Sequence, residues 1–342
     1  MQFRSSRLLA LFVTILVFGA LPAAAAVDNV YTVHPLVSNV PGMATFVDPN
    51  LVNGWGLAAS STSPWWVSDN GTNESTLYRA DGTQVPLIVQ VPIKPTGLVF
   101  WSFTRRAVFV FDTEAGQLRG WHPSQGNQTV VLADRSADGA IYKGLAYAAT
   151  SSGDRFYATD FHNARVDVFD GNFAIVNTPG AFVDPNIPAG WGPFGIQTIG
   201  SRVFVTYGLQ DEEAEDEVSG QALGFVDVYD TGGALLARVA QHGQLNAPWG
   251  LALAPDNFGR FSGDLLVGNF GDGQINAYEE LENGHFAHRG ELRDATGKSI
   301  SIDGLWALQF GHGAPNNGPT NTLFFTAGPN DEANGLFGSI TP

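Results

Sequence analysis

From about residue 30 onward, apolar and polar residues alternate in short runs broken by Gly, Asn, Asp and Pro. A period of two marks β-strands with one buried face, and the breaks mark turns. One run recurs around a glycine: GWGLAAS at Gly54, PTGLVFW at Pro95, YKGLAYA at Tyr142, PFGIQTI at Pro193, PWGLALA at Pro248 and LWALQFG at Leu305. Its central residues are Gly56, Gly97, Gly144, Gly195, Gly250 and Ala307, separated by 41, 47, 51, 55 and 57 residues. Each copy precedes a second strand-like run (PWWVSD, AVFVFD, RFYATD, RVFVTY, DLLVGN, TLFFTAG) and then a third (STLYRAD, GQLRGWH, ARVDVFD, GFVDVYD, GQINAYE, GLFGSIT). Three or four short strands repeated at this spacing predict the blades of a β-propeller. A β-helix has shorter, parallel coils, and a sandwich would not repeat one motif six times.

The sixth unit has only three runs before Pro342, while Val30–Val40 (VYTVHPLVSNV) reads as a strand without a blade. The expected fold is therefore all-β: one six-bladed propeller domain over 27–342, closed by the N-terminal strand joining the last blade. That closure hides two sheet edges.

Residues 1–26 read as a secretory signal peptide. Arg4 and Arg7 give a positive start, Leu8 to Leu21 an apolar run, and Ala24-Ala25-Ala26 a small-residue cleavage site near Ala26. The apolar run is shorter than the ~20 residues a transmembrane anchor needs. The expected location is secreted or periplasmic, with no stable membrane span after removal of the signal.

Composition narrows the chemistry. The 342 residues include no cysteine, which excludes disulfides, thiolate metal sites and thiol nucleophiles. Export without cysteine points to a bacterial source, because secreted eukaryotic domains tend to use disulfides. Charged residues are 15 %, against about a quarter in ordinary domains. The net charge of −16 argues against a nucleic-acid partner. Loss of Arg4 and Arg7 leaves 15 bases against 33 acids, a net −18.

In a propeller the start of each inner strand and the end of the second strand share one face. The first set is Trp55, Thr96, Lys143, Phe194, Trp249 and Trp306; the second includes Asp69, Asp112, Asp160, Tyr207, Asn269 and Asn330. Together they predict an aromatic-floored mouth rimmed with oxygens. Trp55, Lys143, Phe194, Trp249, Trp306, Asp112 and Tyr207 are the candidate ligand-binding residues. Asp69, Asp160, Asn269 and Asn330 are the candidate metal ligands, because oxygen-only donors suit Ca2+. Asp160, His162 and Lys143 are the catalytic candidates, His162 as a base oriented by Asp160. The competing reading is that Asp and Asn at strand ends cap their own turns. Lys143, a buried charge, needs a partner; Asp160, Asp112 or an anionic ligand would serve.

Two further features stand out. FVDPNLVNGWG at Phe46 and FVDPNIPAGWG at Phe182 precede the first and fourth units, so Asp48, Asn50, Asp184 and Asn186 could face one another across the axis, or form repeated Asx-Pro turns. The run Asp211–Glu217 (DEEAEDE) carries six acids in seven residues and reads as an extended, mobile, solvated loop. No G-x-S-x-G elbow, P-loop, dinucleotide fingerprint or zinc-like histidine spacing occurs.

The motifs DPNLVNGWGLA, WVSDNGTNESTLY, YATDFHNARVDVFD, APWGLALAP, LLVGNFGDGQINAY, IDGLWAL and FTAGPNDEANGLFGSI together resemble a family of secreted bacterial proteins that often carry a PEP-CTERM sorting tail. This chain stops at GSITP without such a tail, which favours free secretion or periplasmic residence. More distantly the blades are similar to NHL-type propellers, a group that includes calcium-dependent lactonases, metal-dependent lyases and binding scaffolds. The resemblance transfers no catalytic residue. The expected function is binding of a small molecule, or of an extracellular protein or glycan, at the channel mouth by a monomer. The alternatives are a calcium-dependent, lactonase-like hydrolase or lyase and a structural envelope or matrix module.

Overall fold

Each of the six repeated runs folds as the innermost strand of its own sheet. The computed structural model describes residue 2 and residues 28–342; the expected signal peptide over 1–26, Gln2 apart, lies outside the described residues. The inner strands are Gly54–Ala58, Pro95–Phe100, Tyr142–Thr150, Trp191–Ile199, Pro248–Leu253 and Leu305–Phe310. Second and third strands follow antiparallel in chain order. Each inner strand packs on the next, and the last packs on the first, so the ring closes. The fold is the six-bladed propeller that the alternation predicts.

Closure also follows the prediction. Thr32–Ser38 lies antiparallel to Leu336–Thr341, with Val33 opposite Ile340 and Ser38 opposite Leu336. The outer strand of the last blade thus comes from the start of the chain. Blade three is the irregular member, with three strands and a single Phe169–Ile175 bridge where a fourth would lie.

A shared irregularity positions the axis residues. In every blade the ladder between inner and second strands slips at one step: Gly54/Leu57, Pro95/Leu98, Tyr142/Leu145, Pro193/Ile196, Pro248/Gly250 and Leu305/Leu308. A bulge leaves a residue outside the pleat and re-aims its side chain. The residue in the slip is Trp55, Thr96, Lys143, Phe194, Trp249 or Trp306. The glycine after it touches the neighbouring blade. A Cβ on Gly195 would lie 2.1 Å from the Trp249 carbonyl oxygen, and one on Gly97 2.2 Å from the Leu145 nitrogen. Glycine recurs because the inner strands need backbone-to-backbone approach there.

Hydroxyls stitch the same seams. Thr96 donates to the Tyr142 carbonyl at 2.8 Å, Thr159 to that of Phe194 at 2.7 Å and Thr326 to that of Trp55 at 2.5 Å. Each such bond contributes about 1 kcal/mol net. Between adjacent blades lie separate hydrophobic cores, and the core at the sixth-to-first seam runs into the aromatic side chains on the axis.

The FVDPN repeats do not meet over the axis. Asp48 accepts from Tyr78 Oη at 2.8 Å and Gln84 Nε2 at 2.5 Å, on the third and outer strands of blade one. Asp184 pairs with Arg238 on the outer strand of blade four. Both aspartates accept from the Asn two residues on, at the backbone and the amide. They are two copies of one Asx turn at the rim, the turn reading of the motif.

Candidate functional site at the acidic end of the channel

The four axis aromatics fill the channel instead of flooring an open mouth. Trp55 stacks on Trp306 with ring centroids 3.6 Å apart. Trp249 and Phe194 pack edge-on against both. None of the four is more than 9 % exposed. Six-fold symmetry brings side chains from blades one, four, five and six to one point, and large aromatics close the gap. Their polar edges are partly anchored: Trp249 Nε1 donates to the Lys143 carbonyl at 2.9 Å, and Trp306 Nε1 to Asn53 Oδ1 at 3.0 Å. Trp55 Nε1 is buried and, among the described residues, has no partner.

Lys143 occupies the blade-three position of the same ring and is fully buried. Its ammonium lies 5.4 Å from the Trp55 ring centroid, a cation–π arrangement. It donates to Glu114 Oε1 at 2.5 Å and Asp216 Oδ1 at 2.7 Å. These partners correct the expected pairing with Asp160 or Asp112. Burial works against the charged lysine, but the carboxylates of Glu114 and Asp216 outweigh it and hold its pKa above the usual value.

Asp216 belongs to the acidic run, which is largely solvent-exposed as expected but folded instead of extended. Glu217–Val218 forms a short strand on the second strand of blade four, with Gln210 opposite Glu217. Asp211 N–H donates to the Asp216 carbonyl at 2.9 Å, and Glu215 N–H to Asp211 Oδ1 at 2.9 Å. The run is a folded hairpin whose end is drawn over the axis by Lys143. Attraction to one buried ammonium overrides the mutual repulsion that the sequence suggests.

Two more carboxyls complete the cluster. Glu217 is half-buried as a residue, but its carboxyl end is enclosed by protein. That burial pushes its pKa up to about 8, against the pull of Lys143. Glu332, in the loop between the second and third strands of blade six, is also raised by burial, with Lys143 opposing. It accepts from Asn53 Nδ2 at 2.8 Å. Asn70 Nδ2 donates to Glu114 Oε2 at 3.3 Å, and Lys94 lies 3.3 Å from the same oxygen. Four carboxyls from blades two, four and six therefore surround one buried lysine. Of these, Glu114 and Glu332 each stood two residues beyond a candidate position, Asp112 and Asn330. Asp216 and Glu217 were visible as an acidic run, and Glu332 directly follows the Asn330-Asp331 pair at a second-strand end.

The remaining sequence candidates lie elsewhere. Asp69, Asp160 and Asn269 occupy equivalent ends of second strands and bond within their own blades. Asp69 accepts from Thr76 N–H at 2.8 Å, and Asp160 from Asn163 Nδ2 at 2.9 Å with Arg165 at 3.1 Å. Asn269 Nδ2 donates to the Gln244 carbonyl at 2.7 Å. Asn330 is exposed. Among the described residues, no three Asp, Glu or His side chains are grouped so as to hold a metal ion. Asp112 is one step out of register with Asp69 and Asp160: Thr113 stands opposite Pro95, as Asp69 stands opposite Gly54. It accepts from Thr96 Oγ1 at 2.9 Å, and burial raises its pKa to about 7. Tyr207 is in the interblade core, 2.6 Å from Tyr229 Oη. His162 does not bond Asp160; its Nδ1 is 3.3 Å from the Ala214 carbonyl on the acidic hairpin.

The opposite end of the channel is open. Below the plug lies a void of about 20 Å³, lined by Gly56, Gly97, Trp249 and Ala307. Beyond it is a cavity of about 180 Å³ lined by residues of five blades. Sequence reasoning placed the mouth only at the other end, because the motif glycines draw attention to inner-strand starts.

Fold and axis define a six-bladed β-propeller with an aromatic-plugged channel. The chain belongs to the same family as uncharacterized protein R648 of Acanthamoeba polyphaga mimivirus, with 30 % identity over 335 residues, 91 % of this chain and 80 % of that protein. No family model matches the chain. Among solved structures, it is similar to a protein of unknown function from Bacteroides thetaiotaomicron, with 12 % identity and TM-score 0.59 over 91 % of this chain and 76 % of the other. Virginiamycin B lyase from Staphylococcus aureus aligns at 13 % identity and TM-score 0.52, over 91 % and 99 %. Identities this low speak for the fold alone. Among the described residues, no helix is long and apolar enough to cross a membrane.

Proposed function

We propose that the chain is a ligand-binding propeller whose binding centre is the Lys143 cluster, and that its ligand carries positive charge. The observation that carries this reading is the charge imbalance at the axis. Glu114 and Asp216 pair with one buried ammonium, Glu332 and, above about pH 8, Glu217 add negative charge beside it, and the nearby Lys94 is largely exposed. A low-dielectric, aromatic-backed site strengthens attraction to a cation. Asp216, with its side chain 71 % exposed, is the outermost member and the natural point of entry.

Calcium, the cofactor suggested by oxygen-rich strand ends, would compete with Lys143 for these oxygens. Export after cleavage near Ala26 is part of the reading, supported by the Arg4–Ala26 pattern. Kinship with PEP-CTERM-sorted bacterial proteins rests on the motif resemblance, while relatives such as R648 are viral.

Calorimetric titration with putrescine, arginine methyl ester and CaCl2 tests the proposal. Amine binding that weakens with added salt and is lost in Asp216→Asn/Glu332→Gln supports it. Preference for an anion such as gluconate, or no binding of any cation, overturns it. A calcium-dependent rise in melting temperature without amine binding would instead favour the metal reading.

A further inference from the structure

We propose a second binding site, at the opposite end of the channel, for an uncharged sugar ring. The cavity there measures about 180 Å³. A cavity of about 150 Å³ accepts a benzene ring, so this one has room for a single six-membered ring with substituents. Its chemistry is divided. Leu98, Val99 and Phe100 of blade two, with small alanines of blades one and three, make an apolar wall. Gln197 and Thr198 of blade four and Gln309 and His312 of blade six supply polar groups.

Three of these side chains keep polar atoms unengaged. The amides of Gln197 and Gln309 are half-exposed, and among the described residues neither is held by another group. His312 uses Nδ1 on the Ser60 carbonyl at 2.9 Å, which leaves Nε2. Amide and hydroxyl groups both donate and accept, as do the hydroxyls around a pyranose. The lining holds no Asp, Glu, Lys or Arg, so a charged ligand would be desolvated without compensation. A ring with a polar edge and an apolar face matches both walls. Phe103, 58 % exposed and 5.2 Å from Phe100 between ring centroids, extends the apolar wall outward.

This site is independent of the acidic cluster, from which the aromatic plug separates it. The test is saturation-transfer NMR and calorimetry on the full chain with D-glucose, D-mannose, D-galactose and maltose, with glucuronate and glucosamine as charged comparators. Binding of at least one neutral sugar, weakened about tenfold by Gln197→Leu or Gln309→Leu and unchanged by Glu217→Gln, is the expected result. Unchanged melting temperatures confirm that the variants fold. If either destabilises the chain, Ala146→Leu, which narrows the cavity while keeping both amides, replaces it and should also weaken binding. Maltose binding without monosaccharide binding would assign the site to a glycan end and keep the proposal. No neutral sugar binding, tighter binding of a charged comparator, or binding that survives Gln197→Leu/Gln309→Leu overturns it.

Discussion

Trp55 and Trp306 lie nearly parallel, 3.6 Å apart, across the seam where the last blade meets the first. The Trp55 carbonyl accepts from Thr326 on the same seam. The pair joins the axis to the closure of the ring, so truncating it harms both. Trp306→Ala is expected to cost about 3–5 kcal/mol, the range for removing a large buried aromatic. Urea denaturation would measure it; a loss below about 1 kcal/mol would show that the plug contributes little.

Lys143 makes a second prediction. Lys143→Met leaves buried carboxyls without their cation, and breaking a buried pair costs about 3–5 kcal/mol. Adding Glu114→Gln should recover part of that loss, because it removes one of the orphaned charges. A double-mutant cycle on unfolding free energy checks this; strict additivity would mean that the two do not interact.

Glu217 gives a pH dependence with a definite sign. Its carboxyl titrates at about 8 in the folded chain, above its usual range near 4.5. Between those values the folded state keeps a proton that the unfolded state has lost. Stability therefore falls as pH rises through that window. Glu217→Gln should flatten this slope and make the protein relatively more stable at pH 8 than the parent, by on the order of 1 kcal/mol once partial exposure is discounted. Thermal melts from pH 5 to 9 would show it; an unchanged slope would place the titration elsewhere.

The inner-strand glycines predict an asymmetry. Gly195→Ala puts a methyl 2.1 Å from the Trp249 carbonyl oxygen, so the blades must part, at about 1–3 kcal/mol or more. At the sixth equivalent position alanine is already present and buried. Ala307→Gly should cost only about 1 kcal/mol. Equal effects at the two positions would refute the close-approach explanation.

Much of the fold was legible because each blade repeats a strong local signal: alternation, a glycine (alanine in the sixth) beside the axis residue, and a turn. The closing strand was legible too, since Val30–Val40 alternates and the sixth unit lacked a partner. The site was only half legible. Trp55, Phe194, Trp249 and Trp306 were identifiable as axis residues, but whether four rings line an opening or fill it depends on the channel's width. Register hid the role of Asp112, because a one-residue shift exchanges the two faces of a strand. Glu332 joins Lys143 across 189 residues of chain, and no local pattern encodes such a meeting. The exposure of the acidic run was legible, but its fold and the link from Asp216 to Lys143 were not, because repulsion within the run is visible in the sequence while the attraction of a distant buried lysine is not.

The strand Thr32–Ser38 finds its partner in Leu336–Thr341, about as far along the chain as two elements can be. No earlier pairing can replace it. While the last blade is still being synthesised, the first blades have strands and seams but no closed ring, and Trp306 has not yet met Trp55. Order along the chain therefore sets an order in time: local hairpins form first, and the long loop between the termini closes last, against the largest entropic cost. The expected signature is a slow final refolding phase, reported by tryptophan fluorescence as the rings stack, that a chain lacking residues 28–38 would not complete.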